Sequence, residues 1–133
     1  MRTARLYDGV DESGTPHFAA DRARIADTAE RDRIVGYLNG GGAVMTTPGV
    51  TEDVVEPGRG KVVPLSYLTD GTWIWSAGLA YYTQEYGIAP DAEFIEHMRQ
   101  QEFVPPQVDA DTRLAAMEEL EAGWAKYRSG TTN

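Results

Sequence analysis

The chain has 133 residues, 41% of them hydrophobic and 25% charged, a size and composition that fit one folded domain with one core. It contains no cysteine, which removes disulfides, thiolate metal ligation and a cysteine nucleophile. A net charge of -9 argues against a phosphate-tracking surface, so nucleic acid is not an expected partner. No run approaches the roughly 18 apolar residues of a membrane span, and the first twenty residues lack the apolar core of an export signal. The expected location is therefore the cytoplasm, with no membrane contact.

In chain order, Thr3-Ala-Arg-Leu-Tyr7 and Thr15-Pro-His-Phe-Ala19 flank the turn formers Asp11-Glu-Ser-Gly14, which predicts two short strands in a loose hairpin. Asp27, three residues before Glu30, predicts a capped helix start. Ile34, Val35, Tyr37 and Leu38 give that helix an apolar face, and Asn39-Gly-Gly-Gly42 ends it. A buried strand is predicted over 43–47. Residues 48–61, with Glu52, Asp53, Glu56, two prolines and three glycines, read as a surface loop. Its length makes it either a partner contact or a simple connector.

Val62 to Leu68 and Thr72 to Ser76 predict the clearest hairpin, joined by Asp70-Gly71 in a two-residue turn. That turn sets Leu68 opposite Trp73 and Ser66 opposite Trp75 on one side, with Tyr67 opposite Ile74 on the other. Both faces carry large apolar groups, so either the hairpin is covered on both sides or one aromatic face is free for binding. Ser76 predicts the N-cap of a helix that Gly87 ends, with Leu79, Tyr82 and Tyr86 on one face and Tyr81 and Glu85 on the other. A further helix is expected from Pro90-Asp91, burying Phe94, Ile95 and Met98. The stretch Phe103 to Val108, with two prolines, reads as extended. From about Asp109 a last helix is expected to pack Leu114, Met117, Leu120, Trp124 and Tyr127 on the core, in a single domain over 1–128 with a frayed polar tail over 129–133.

Chemistry-bearing patterns are sparse. The two histidines, His17 and His97, stand outside any nucleophile-elbow pattern, and no catalytic residue is assigned. Glu93 and His97, four residues apart with Glu96 adjacent, resemble half of a carboxylate–imidazole metal site; the simpler reading is a solvated acid and imidazole pair. Gly40-Gly-Gly42 follows a helix and precedes a strand, the reverse of a phosphate loop, so no nucleotide is expected. No cofactor or metal is assigned. Charge is uneven: residues 1–61 carry eight basic and ten acidic side chains, and residues 62–133 carry four basic and eleven acidic. Glu118, Glu119 and Glu121 form either the wet face of the last helix or an interaction surface.

The run Thr69-Asp-Gly-Thr-Trp-Ile-Trp-Ser76, then Leu79-Ala-Tyr-Tyr82, Tyr86-Gly87 and Phe94-Ile-Glu-His97, resembles a pattern in small, acidic, uncharacterised actinobacterial proteins. It is also broadly similar to bacterial toxin-immunity proteins. The resemblance implies an α+β protein that binds another protein and performs no chemistry. Order along the chain points to the same class: a small antiparallel sheet with a central Asp-Gly hairpin and helices packed on it.

The expected function is a non-catalytic acidic protein-binding module, an immunity- or antitoxin-like inhibitor of a basic partner. Its expected anchors are Trp73, Trp75 and Tyr81, with Asp53, Glu56, Glu118, Glu119 and Glu121 supplying the field. A second reading is a small-molecule or enzyme domain in which Trp73, Trp75, Tyr81 and Tyr82 wall a pocket and Asp70 or His97 supplies polarity. A third is a homo-oligomer with the aromatic ribbon as its interface.

Overall fold

Capping chemistry fixes the first two helices where the sequence puts them. In a computed structural model, which describes the backbone of residues 1–131 and side chains as far as Lys126, α1 spans Thr28–Asn39 behind Asp27, whose carboxylate accepts the Ala29 N–H. α2 spans Ala77–Tyr86 behind Ser76, whose Oγ accepts the Gly78 N–H at 3.0 Å, and Gly87 ends it at φ 73°. A Cβ at Gly87 would stand 2.7 Å from the Arg31 guanidinium and 3.0 Å from the Ile25 carbonyl, so glycine meets both a backbone and a steric demand there. α3 spans Ala92–Gln100 and α4 spans Ala110–Thr131.

The strands are short: β1 (Arg2–Thr3), β2 (Gly9–Val10), β3 (Pro16–His17), β4 (Gly42–Met45), β5 (Val50–Glu52), β6 (Lys61–Pro64), β7 (Tyr67–Thr69) and β8 (Trp73–Ser76). Four of them form the main sheet in the order β1-β8-β7-β4, while β2 with β3 and β5 with β6 form separate two-stranded ribbons. The fold is α+β, and every pairing is antiparallel except that of β1 with β8.

Successive side chains of β8 alternate between faces, and both faces are covered. Trp73 and Trp75 enter a core with Ile34, Tyr37 and Leu38 of α1 and Phe94 and Met98 of α3. Trp73 stacks on Phe94 at 4.7 Å between ring centroids, and the Trp75 indole N–H donates to the Leu38 carbonyl at 3.0 Å. Ile74 faces the other way, against Ala116 and Leu120 of α4. A third cluster joins Val63, Tyr82 and Ile88 to Tyr7 and Phe18 on the far side of α2. Of the two alternatives for the aromatic hairpin, the covered one holds.

Several expectations are corrected. Residues 3–7 do not pair with 15–19; the predicted hairpin shrinks to β2 and β3 around the Asp11 turn, while residues 2 and 3 join β8 in parallel. A buried arginine accounts for the route between them: Arg22 donates to the carbonyls of Arg5, Leu6 and Ala89 and to Asp8, pinning the first segment against the α2–α3 connection. The predicted strand over 62–68 divides, because β6 turns away to pair with β5 inside the stretch read as a loop. The β7–β8 register also differs, with Leu68 opposite Trp75 and Thr69 opposite Ile74. Asp70 is the reason. Its Oδ1 accepts the N–H groups of Thr72 and Trp73, which makes Asp70 the first turn residue and puts Gly71, at φ 93°, and Thr72 at the tip. A shift of two residues preserves the facing of every side chain, so the two predicted faces survive the change of partners.

α4 packs through Met117, Leu120 and Trp124 of the predicted stripe, with Ala116 added and Leu114 turned out. Ala116 and Leu120 are buried and Met117 and Trp124 are half-buried, but Leu114 is 60% exposed. The small Ala116 is what allows close approach to the sheet. The Tyr127 side chain lies outside the described residues. The tail expected over 129–133 overlaps the last turn of α4, and residues 132 and 133 lie outside the described residues.

Two stability differences follow from this packing. A Cβ at Gly41 would fall 2.5 Å from Cζ2 of the buried Trp75, so Gly41→Ala is expected to cost about 1–3 kcal/mol in urea unfolding through overpacking. Leu120→Ala is expected to cost about 2–5 kcal/mol, whereas Leu114→Ala should stay within about 0.5 kcal/mol of the parent. Equal losses at positions 114 and 120 would contradict the observed face of α4.

Candidate functional site

The expected anchors are dispersed, and the two tryptophans are interior. Trp73 and Trp75 are 3% and 0% exposed, held between the sheet and α1 and α3, so in this conformation neither presents a ring to a partner. The pocket imagined among Trp73, Trp75, Tyr81 and Tyr82 is likewise filled, since Tyr82 is fully buried. Glu118, Glu119 and Glu121 are exposed on α4, across the sheet from the tryptophans; Glu119 contacts the amino group of Met1 at 3.0 Å.

Asp53 is fully buried and is a structural tie. Its Oδ2 accepts from the hydroxyls of Tyr81 at 2.7 Å and Tyr86 at 2.6 Å, and its Oδ1 accepts the N–H groups of Val55 and Glu56. Burial alone would raise the carboxyl's pKa, but these donors outweigh it and hold Asp53 below the ordinary 3.8. Burial first, and then the Asp53 charge, push Tyr86 above the ordinary tyrosine value. Around this centre Arg59 bridges Glu56, Glu85 and the Tyr81 hydroxyl, while the Val54 N–H donates to the Tyr82 hydroxyl. The segment read as a loop is thereby strapped to α2. Glu56 is exposed but committed to Arg59.

Asp70 and His97 form a second polar centre, and the solvated Glu93–His97 pair does not occur. Asp70 Oδ2 accepts the Tyr37 hydroxyl at 2.5 Å and lies 3.0 Å from His97 Nε2, while Glu93 pairs with Arg2. The Asp70 side chain is fully buried and His97 is mostly so, which makes this trio an interior brace between the β7–β8 turn, α1 and α3. Among the described residues, no three His, Asp or Glu side chains converge in a way that could hold a metal ion.

The concave feature of the surface lies elsewhere. A cavity of about 550 Å³ opens between the β2–β3 tip and the β5–β6 ribbon, with Leu6, Val63, Tyr67 and Ser76 on its inner wall and the exposed Glu52 and Lys61 on its β5–β6 side. A second cavity, of about 360 Å³, shares Leu6, Tyr67 and Ser76 with the first and ends against Leu120 and Trp124 of α4. Tyr67 therefore stands at the junction of the two. Its ring packs edge-on against Trp124 at 5.8 Å, and among the described residues its hydroxyl has no hydrogen-bond partner. Burial raises the pKa of both Tyr67 and Tyr7, so each phenol stays neutral and able to donate at neutral pH.

Sequence reasoning missed this cavity because its walls combine residues of predicted strands with the β5 segment read as a loop, and only the fold sets them around one hollow. No alternation in the sequence marks it, since Val62 and Val63 are both apolar and Lys61 shares its strand face with Val63. Comparison of the chain with protein-family models, with curated proteins and with solved structures found no match.

The Asp53 centre carries a pH dependence. Because the folded carboxyl has a pKa below the unfolded value, its contribution is present above about pH 4 and is lost as pH falls through the folded value. Asp53→Asn should cost about 1–3 kcal/mol at pH 7, as donors that bond to the carboxylate lose part of their acceptor. The difference from the parent should shrink as pH falls below about 4 in urea titrations. A difference constant with pH would show that Asp53 does not titrate as described.

Proposed function

We propose that this protein is a small-molecule-binding module that holds its ligand reversibly in the cavity between the β2–β3 and β5–β6 ribbons. The observation that carries the reading is the cavity itself. Its volume of about 550 Å³ falls in the roughly 300–1,000 Å³ range of ligand pockets, and it combines an apolar wall with a few polar groups. Tyr67 and Ser76 supply the polarity inside. The Ser76 Oγ already accepts the Gly78 N–H as the cap of α2, which leaves its own proton for a ligand. The interior position of Trp73 and Trp75 favours this reading over an aromatic docking face.

The acidic inhibitor remains as a second reading because of α4. Glu118, Glu119 and Glu121 are exposed on one helix of a chain with net charge -9, a field that attracts a basic protein. On this reading, reversal of Glu118, Glu119 and Glu121 to lysine slows association with the partner, and the effect fades at high salt.

Screening of a metabolite library by amide chemical-shift mapping separates the two. The cavity reading expects at least one compound to move the amides of Leu6, Val63, Tyr67 and Ser76 and to raise the unfolding temperature with ligand concentration. Leu65→Trp, which adds bulk to an exposed wall residue, should weaken that compound while leaving the fold intact. Hits whose shifts centre on other surfaces, or that ignore the Leu65 substitution, would refute the assignment of the cavity.

A further inference from the structure

On the β5–β6 wall of the cavity, the exposed Glu52 and Lys61 occupy directly opposite positions in the ribbon. Opposite charges in such positions normally join, since facing Cβ atoms on paired strands lie about 4.5–5.5 Å apart. Here they do not. The ladder shifts register between Thr51 and Glu52, and neither Glu52 nor Lys61 takes part in an ion pair among the described residues. The other charged groups of this region are committed: Arg59 to Glu56 and Glu85, and Asp53 to its tyrosines. The ribbon thus carries one free ammonium and one free carboxylate, and behind them lies an apolar wall of Leu6, Val54, Val63 and Leu65.

We infer that the cavity takes a zwitterion with an apolar body, an α-amino acid with a large apolar side chain, its carboxylate facing Lys61 and its ammonium facing Glu52. The inference rests on the ligand-binding reading above and names the class of ligand for that cavity. The long-range field selects in the same direction. On a chain of net charge -9 an anionic ligand is repelled before it arrives, and a cation meets Lys61; a zwitterion carries no net charge for the field to act on and meets a partner for each of its ends. The side chain then passes inward to the apolar wall, where burial supplies the remaining affinity. The Tyr67 hydroxyl at the inner end accepts or donates to a polar tip, so a side chain ending in a hydroxyl is also accommodated.

The test uses the full chain and three probes of one shape: L-phenylalanine, hydrocinnamate, which lacks the ammonium, and phenethylamine, which lacks the carboxylate. Amide shift titrations should show L-phenylalanine moving Leu6, Val63, Tyr67 and Ser76, with each singly charged probe at least about tenfold weaker. Lys61→Met should weaken L-phenylalanine by about tenfold without weakening phenethylamine, and Glu52→Gln should weaken L-phenylalanine similarly without weakening hydrocinnamate. Both positions are exposed, and circular dichroism checks that the variants fold.

Equal or tighter binding of either singly charged probe in the cavity would overturn the zwitterion and keep the ligand-binding reading. Cavity shifts from other library compounds with none from L-phenylalanine or L-leucine would do the same. Absence of cavity shifts from every compound would overturn both.

Discussion

The carboxylate of Asp70 is the point on which the rest of the structure turns. It lies buried at the tip of the β7–β8 hairpin, accepts two backbone N–H groups of its own turn and the Tyr37 hydroxyl, and abuts His97. A buried charge costs several kcal/mol unless such donors surround it, so the hairpin tip, α1 and α3 must keep their relative positions for the carboxylate to be satisfied. The same turn sets the register of β7 on β8, whose alternation places Trp73 and Trp75 on one side and Ile74 on the other. Both halves of the core, and the Gly41 backbone lying flat against Trp75, follow from that choice.

What was legible in the sequence was local chemistry. Asp27, Ser76 and Gly87 mark helix ends because each satisfies backbone groups within a few residues of itself, and the structure uses all three as read. The facing of the aromatic hairpin was legible too, since alternation along a strand survives a two-residue change of register. Long-range commitments were not. Arg22 and Asp53 look like surface residues by type, and only the fold brings Arg5, Leu6 and Ala89 to one and Tyr81 and Tyr86 to the other. Leu114 was misplaced because a run of apolar spacings admits more than one stripe, and the small Ala116 sets which stripe reaches the sheet.

The same contrast governs the candidate site. Aromatic density drew attention to Trp73 and Trp75, but a sheet covered by helices on both faces has the greatest need of large rings in its interior. The cavity instead forms where the layers stop, between two ribbons that belong to no larger sheet. Its polar groups are ordinary residue types, and their significance is positional: Ser76 is a helix cap with a proton to spare, Tyr67 sits between two hollows, and Glu52 and Lys61 face each other across a slipped ladder.

The strap centred on Asp53 gives the cavity wall a mechanical character of its own. The β5–β6 ribbon shares no ladder with the main sheet, and it is fastened to α2 by a small set of tyrosine and arginine bonds and by the burial of Val63. The ribbon is thus held by side-chain contacts and not by backbone pairing to the sheet. The shape of the cavity is therefore set in part by a buried carboxylate and two tyrosine hydroxyls that do not themselves line it.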